Sequence, residues 1–192
     1  MTLALVGCQS LEVQCGGRNL DKLYSYIEEH NLDLKYIVLT HGHGDHIEGL
    51  NDLAEKYPEA KVYVGEEEKD FLYNSELSLS DRIFGEFFKF KGELHTVREG
   101  DMIGDFKVID TPGHTIGSKS FYDEKAKILI SGDTLFRRSY GRYDLPTGDL
   151  NMLCNSLEKL SKLPEETVVY SGHTEETTIG EEKKFLERVG IL

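Results

Sequence analysis

The chain is poor in cysteine and in positive charge, and it has no long apolar run. Its three cysteines, Cys8, Cys15 and Cys154, lie far apart with no CxxC pair. An odd, scattered set argues against a disulfide framework and fits a reducing cytosol. Lys and Arg number 22 against 35 Asp and Glu, a net charge of −13. Such a chain lacks the basic footprint that phosphate contact needs, and anionic lipid repels it. No stretch approaches the ~18 apolar residues of a membrane span. Leu5-Val6-Gly7-Cys8 has a faint look of a lipoprotein cleavage site. However, no Lys or Arg precedes it, and the apolar run falls below the ~7–15 residues of a signal core. A cytoplasmic protein with a small-molecule substrate, and with neither nucleic acid nor membrane as partner, is expected. Linkers, low-complexity tracts and internal repeats are also lacking, so residues 1–192 read as one domain, long enough to bury a core.

What is present alternates between two periods. "LALV" and "LEVQ" read as strands, and "CGGR" as a turn. Leu20, Leu23, Tyr24 and Ile27 fall at helical spacing after Asn19, a candidate N-cap. "KYIVLT" is a continuous apolar run, as in a strand covered on both faces. "HIEGLNDLAEKYP" returns to helical spacing and stops at Pro58. "KVYVG" is a strand and "EEEKDFLY" a helix start. Residues 74–93 have no clean period but hold Phe84, Phe87, Phe88 and Phe90. They read either as a surface loop whose rings fold back on the core or as a wall against substrate. Strand candidates "ELHTV", "DFKVIDT", "KSFYD" and "KILISGD" follow. A helix at about 148–162, the strand "TVVYSG" and a helix at about 179–189 complete the chain.

The densest chemistry is "LTHGHGDHIEG", which places His41, His43, Asp45 and His46 within six positions. Gly42 and Gly44 let the backbone bend there, so that neighbouring side chains can converge. Three later turns share the context of strand, glycine and ligand-type side chain. They hold His114 in "DTPGHTIGS", Asp133 in "ILISGDTLF" and His173 in "VVYSGHTEET". Five histidines and two aspartates are too many for one four-coordinate zinc, and they suit two metals sharing a bridging carboxylate. Imidazole and carboxylate accept Zn, Fe or Mn; two divalent ions, zinc by expectation, are the cofactor. A set without cysteine and with open positions suits catalysis better than structural support. His30, at a helix end, and His95, in a short strand, lack the glycine context and are read as ordinary polar residues.

These motifs, in this order, resemble the metallo-β-lactamase superfamily. "TPGHTIGS", "GDTLF" and "TTIGEEKK" are most similar to its glyoxalase II branch, the hydroxyacylglutathione hydrolases, in the short bacterial form without a C-terminal helical domain. The resemblance implies an α/β fold, an αββα sandwich of two mixed sheets flanked by helices, with the first strand short or absent. It implies that His41, His43 and His114 hold one metal, that Asp45, His46 and His173 hold the other, and that Asp133 bridges. A bridging hydroxide would attack a thioester such as S-lactoylglutathione, with Asp45 as the catalytic group orienting it. Arg142 lines up with a basic position that meets a glutathione carboxylate. Two positions depart from the pattern: Asp144 stands where a tyrosine is usual, and Gln14 where an aspartate supports the metals. The alternatives within the same frame are a mononuclear iron persulfide dioxygenase, a ribonuclease or phosphodiesterase, and a metal-binding member of low activity.

Overall fold

The computed structural model describes residues 20–192 in full and, ahead of them, the backbone of two strands at 2–6 and 9–13. The expected turn at 15–18, the cap at Asn19 and the departure at Gln14 lie outside the described residues. Two compact units, Met1–Val97 and Arg98–Leu192, divide the chain.

The first unit runs β1 (Thr2–Val6), β2 (Gln9–Val13), α1 (Asp21–Glu29), β3 (Leu34–Leu39), α2 (Gly44–Ile47), α3 (Leu50–Lys56) and β4 (Lys61–Gly65). A 3-10 stretch (Glu66–Tyr73), α4 (Ser75–Ser78), α5 (Ser80–Ile83) and β5 (Leu94–Val97) follow. The sheet order is β2-β1-β3-β4-β5, with β1 antiparallel to its neighbours and β3, β4 and β5 parallel. β3 is central, and Ile37, Val38 and Leu39 are buried on alternate faces, as the unbroken apolar run requires. Leu23 and Ile27 of α1 and Leu50 and Leu53 of α3 pack with Ile37, Leu39, Val62 and Val64 into one core. The helix expected from His46 to Pro58 is two short helices. Gly49, a poor helix former, stands between them and caps α3. The 74–93 segment divides its rings: Phe88 and Phe90 join the core, Phe84 packs at its margin and Phe87 is exposed.

The second unit runs β6 (Met102–Ile103), β7 (Phe106–Asp110), β8 (Lys119–Asp123), β9 (Ile128–Gly132), β10 (Leu135–Phe136) and β11 (Ser139–Tyr140). It ends with α6 (Leu150–Leu160), β12 (Val168–Ser171), β13 (Thr177–Thr178) and α7 (Ile179–Arg188). The main sheet is ordered β13-β12-β9-β8-β7-β6. β7, β8 and β9 pair antiparallel in turn, while β12 runs parallel to β9. The loop after β7 and the ends of β9 and β12 therefore leave the same edge of the sheet. Three of the expected ligands, His114, Asp133 and His173, sit in those connections. Leu153, Leu157 and Leu160 of α6 and Ile179 and Leu186 of α7 cover the sheet with Leu129 and Val169. Asp149 caps α6 by accepting from the Met152 N–H at 2.8 Å. At the base of the 111–118 loop, buried Lys119 pairs with Asp110 at 2.7 Å, across the β7–β8 register. Among the described residues no helix is long and apolar enough to cross a membrane.

Leu157 is fully buried in this second core. Leu157→Ala is expected to cost about 3 kcal/mol of stability, and loss of the cap in Asp149→Ala about 1 kcal/mol. Urea denaturation of each variant measures both. A Leu157→Ala midpoint equal to that of the parent chain would remove α6 from the core described here.

Candidate metal centre

In the first unit the ligands occupy the loop from the carboxyl end of β3 into α2. His41 and His43 are buried, and their rings meet edge to face at 4.9 Å between centroids. The tight turn brings buried His46 back over His41, with ring centroids 4.0 Å apart. Its Nε2 lies 3.6 Å from Asp45 Oδ2. The Thr40 hydroxyl sits 3.2 Å from His41 Nδ1. Gly42 must be glycine for a steric reason: a Cβ there would lie 2.4 Å from Phe71 Cβ. Its N–H donates to Glu68 Oε2 at 2.9 Å. Glu68 is fully buried and follows β4, the parallel neighbour of β3. Its carboxylate thus holds the peptide between the two leading histidines.

In the second unit, Asp133 is the hub. His173 Nε2 lies 3.1 Å and His114 Nε2 3.6 Å from Asp133 Oδ2. Backbone pairing sets this up. The Gly172 N–H donates to the Gly132 carbonyl at 3.0 Å, so the residues that follow, His173 and Asp133, emerge side by side. Gly132 takes φ +53°, a left-handed turn that glycine makes without strain. The His114 ring nitrogen Nδ1 donates to the Arg142 carbonyl at 2.8 Å. That bond selects the tautomer whose Nε2 lone pair is available to a metal. His114 and Asp133 are buried, and His173 is half exposed.

The donor set suits a divalent metal. Imidazole nitrogens and carboxylate oxygens are borderline-to-hard ligands, and His114 has the carbonyl partner typical of metal-binding histidines. All seven positions expected from the sequence count among side chains that could hold a metal ion. The two histidines set aside do something else. His30 ends α1 with Nδ1 at 2.9 Å from the Tyr26 carbonyl, and His95 sits in β5 beside the Tyr63 ring.

Arg142 carries two roles. Its carbonyl orients His114, while its exposed guanidinium forms a fork with Asp144 at 2.8 and 2.9 Å. Those hydrogen bonds hold the Asp144 carboxyl below its ordinary range and raise Arg142. Arg137 pairs with Glu175, and the Arg138 N–H donates to Glu182 at 2.8 Å. Sequence reasoning missed Glu68 and the Arg142 carbonyl. "EEEKDFLY" reads as a helix start, and nothing local marks its third glutamate as the one turned inward. A main-chain carbonyl has no side-chain signature at all.

The family model described as the metallo-beta-lactamase superfamily matches residues 14–173. The chain is 41% identical over 164 residues to the probable metallo-hydrolase YqgX of Bacillus subtilis, covering 82% of this chain and 77% of that one. It is 33% identical over 175 residues to the hydroxyacylglutathione hydrolase GloC of Haemophilus influenzae, covering 88% and 82%. Among solved structures, TTHA1623 in a di-iron-bound form superposes with a TM-score of 0.84 at 33% identity, over 95% of this chain and 91% of that one.

Glu68→Ala is expected to weaken metal retention about 10–100-fold, as loss of a residue supporting the ligands commonly does. Glu68→Gln keeps an oxygen for the Gly42 N–H and should lose far less. Competition with a chromophoric chelator reads both. Equal retention in the alanine variant and the parent chain would mean that Glu68 does not hold the loop.

Proposed function

The chain belongs to the metallo-beta-lactamase superfamily, and from that premise we propose that its seven ligands form one dinuclear centre that hydrolyses a thioester. The observation that carries this reading is the Asp133 hub. One buried carboxylate has histidines at 3.1 and 3.6 Å, one of them with its tautomer set by a carbonyl. That is the arrangement a bridging ligand needs. His41, His43 and His114 would hold the first ion, Asp45, His46 and His173 the second, and Asp133 both. Two divalent ions held by these residues would supply a water acidified to near neutrality and a Lewis acid for a carbonyl oxygen.

The chain's own residues do the rest. The His114 Nδ1–H stays on the Arg142 carbonyl, so Nε2 keeps its lone pair directed at the centre. Asp45 is half-buried, with one oxygen 3.6 Å from His46. It can accept a proton from the attacking water at Oδ2 and pass it to solvent. A thiolate leaving group, with a reference pKa near ~8.5, needs no strong acid. Arg142 can meet a substrate carboxylate by exchanging its fork with Asp144 for one with the ligand. The −13 net charge supports a small substrate over a polyanion. The name of the Haemophilus relative makes S-lactoylglutathione the first thioester to try, and zinc or iron the metals to load.

Metal analysis of the purified chain alongside thiol release from S-lactoylglutathione tests the proposal. Two ions per chain with thiol release are expected, and His114→Ala should lose both the turnover and one ion. One iron per chain with oxygen uptake on glutathione persulfide would replace the hydrolase by a dioxygenase.

A further inference from the structure

We infer that the segment from Ser80 to Phe88 is the wall against which the acyl group lies, and that it selects thioesters whose acyl group is apolar and larger than lactoyl. This rests on the thioesterase reading above and adds a substrate class to it.

The first observation is contact with the ligand loop itself. A Cβ on Gly44, between His43 and Asp45, would lie 3.0 Å from Ser80 Cα and 3.2 Å from both Ile83 Cδ1 and Phe84 Cε1. Glycine at 44 therefore lets α5 and the Phe84 ring close directly onto the metal-binding turn. The second is exposure. Ile83 is 44% and Phe87 81% accessible, although both are large and apolar. Such side chains rimmed by polar ones commonly mark a ligand site. The third is a cavity of about 410 Å³ lined by Phe84, Phe87 and Phe88 and by six polar or charged residues, Glu48 and Asn51 among them, so the rings form the apolar part of a polar-rimmed hollow. Glu48 donates its N–H to the Gly44 carbonyl at 3.0 Å, so the cavity begins one helical turn from the ligands.

The fourth observation is that the wall is braced. The Phe88 N–H donates to Ser80 Oγ at 3.1 Å, and the Phe90 N–H to the Leu72 carbonyl at 3.0 Å. The Asn51 side chain donates to the Lys89 carbonyl and accepts from the Lys91 N–H, each at 3.1 Å. Phe88 and Phe90 are buried as anchors, and Phe87, just ahead of them, faces outward. A braced apolar surface favours an apolar group without an ordering cost. The lactoyl hydroxyl gains nothing from the phenyl and sec-butyl contacts of Phe87 and Ile83.

The test uses the metal-loaded chain and two thioesters of one thiol, S-lactoylglutathione and S-phenylacetylglutathione. The ratio of their kcat/KM values should favour phenylacetyl by about tenfold, the order of one well-placed apolar contact. Ile83→Ala and Phe87→Ala should each lower that ratio by about the same factor. Tyr26→Ala, an exposed ring on α1, should not. Calorimetry with the uncleavable thioethers S-hexylglutathione and S-methylglutathione gives a second readout independent of turnover. If neither thioester is cleaved yet Phe87→Ala lowers the hexyl-over-methyl preference, the wall stands and the thioesterase reading falls. If thioesters are cleaved and both preferences survive in Ile83→Ala and Phe87→Ala, the wall is overturned. It is equally overturned if Phe87→Ala converts a dimer to a monomer in sedimentation while leaving the preferences unchanged, since the face then serves a second copy of the chain.

Discussion

The hydrogen bond from the Gly172 N–H to the Gly132 carbonyl is the constraint on which the second unit's chemistry depends. It extends the parallel pairing of β9 and β12 by one step past a register shift. Parallel strands present their carboxyl ends on the same side, so the next residue of each leaves the sheet at the same edge. Asp133 and His173 are those residues, and their side chains lie 3.1 Å apart in consequence. Because β8 is antiparallel to both its neighbours, the loop carrying His114 opens at this edge as well. Three residues separated by up to 59 positions become neighbours through strand direction alone.

Close packing then removes the freedom that glycine-rich turns would otherwise have. Gly113 takes φ +135°, and a Cβ there would sit 2.3 Å from the Leu153 backbone, so the His114 turn rests on the start of α6. A Cβ on Gly141 would lie 1.8 Å from the Asp133 carbonyl, which presses the Arg142 segment against the hub. In the first unit, Phe71 and Glu68 do the same for Gly42. Glycine is needed at these places for close approach, and the approach turns a loop that could be mobile into a fixed set of donors. That matters for metal chemistry, where ligands ordered in advance cost less to assemble.

The acidic balance of the chain acts on a different level. Negative charge around the ligand cluster discourages polyanions, and it also competes for the few guanidinium groups available. Arg142 is held by Asp144, and Arg137 by Glu175. A carboxylate ligand at Arg142 would have to displace the Asp144 carboxylate already in place. Apolar recognition by Ile83 and Phe87 meets no such competitor, which is why substrate choice is assigned to that wall.

Much of this was legible in the sequence. The strands around Ile37 and Leu129, the helices around Leu23, Leu157 and Leu186, and the seven ligand-type side chains all follow from periodicity and from glycine beside His or Asp. These signals are local, and a linear string carries them intact. The apolar pattern after His46 predicts one helix where there are two, because Gly49 weighs little in a pattern of apolar residues and decisively in a helix seven residues long. Glu68, the Arg142 carbonyl and the split between buried Phe88 and exposed Phe87 were not legible. Each depends on which strand lies next to which and on how closely a backbone approaches, quantities set by contacts far apart in sequence. The residue types alone determined that this chain has the ligands for metal chemistry. Strand direction and close packing decided which nitrogen and oxygen atoms meet, because convergence in space is a property of the folded backbone and not of spacing along it.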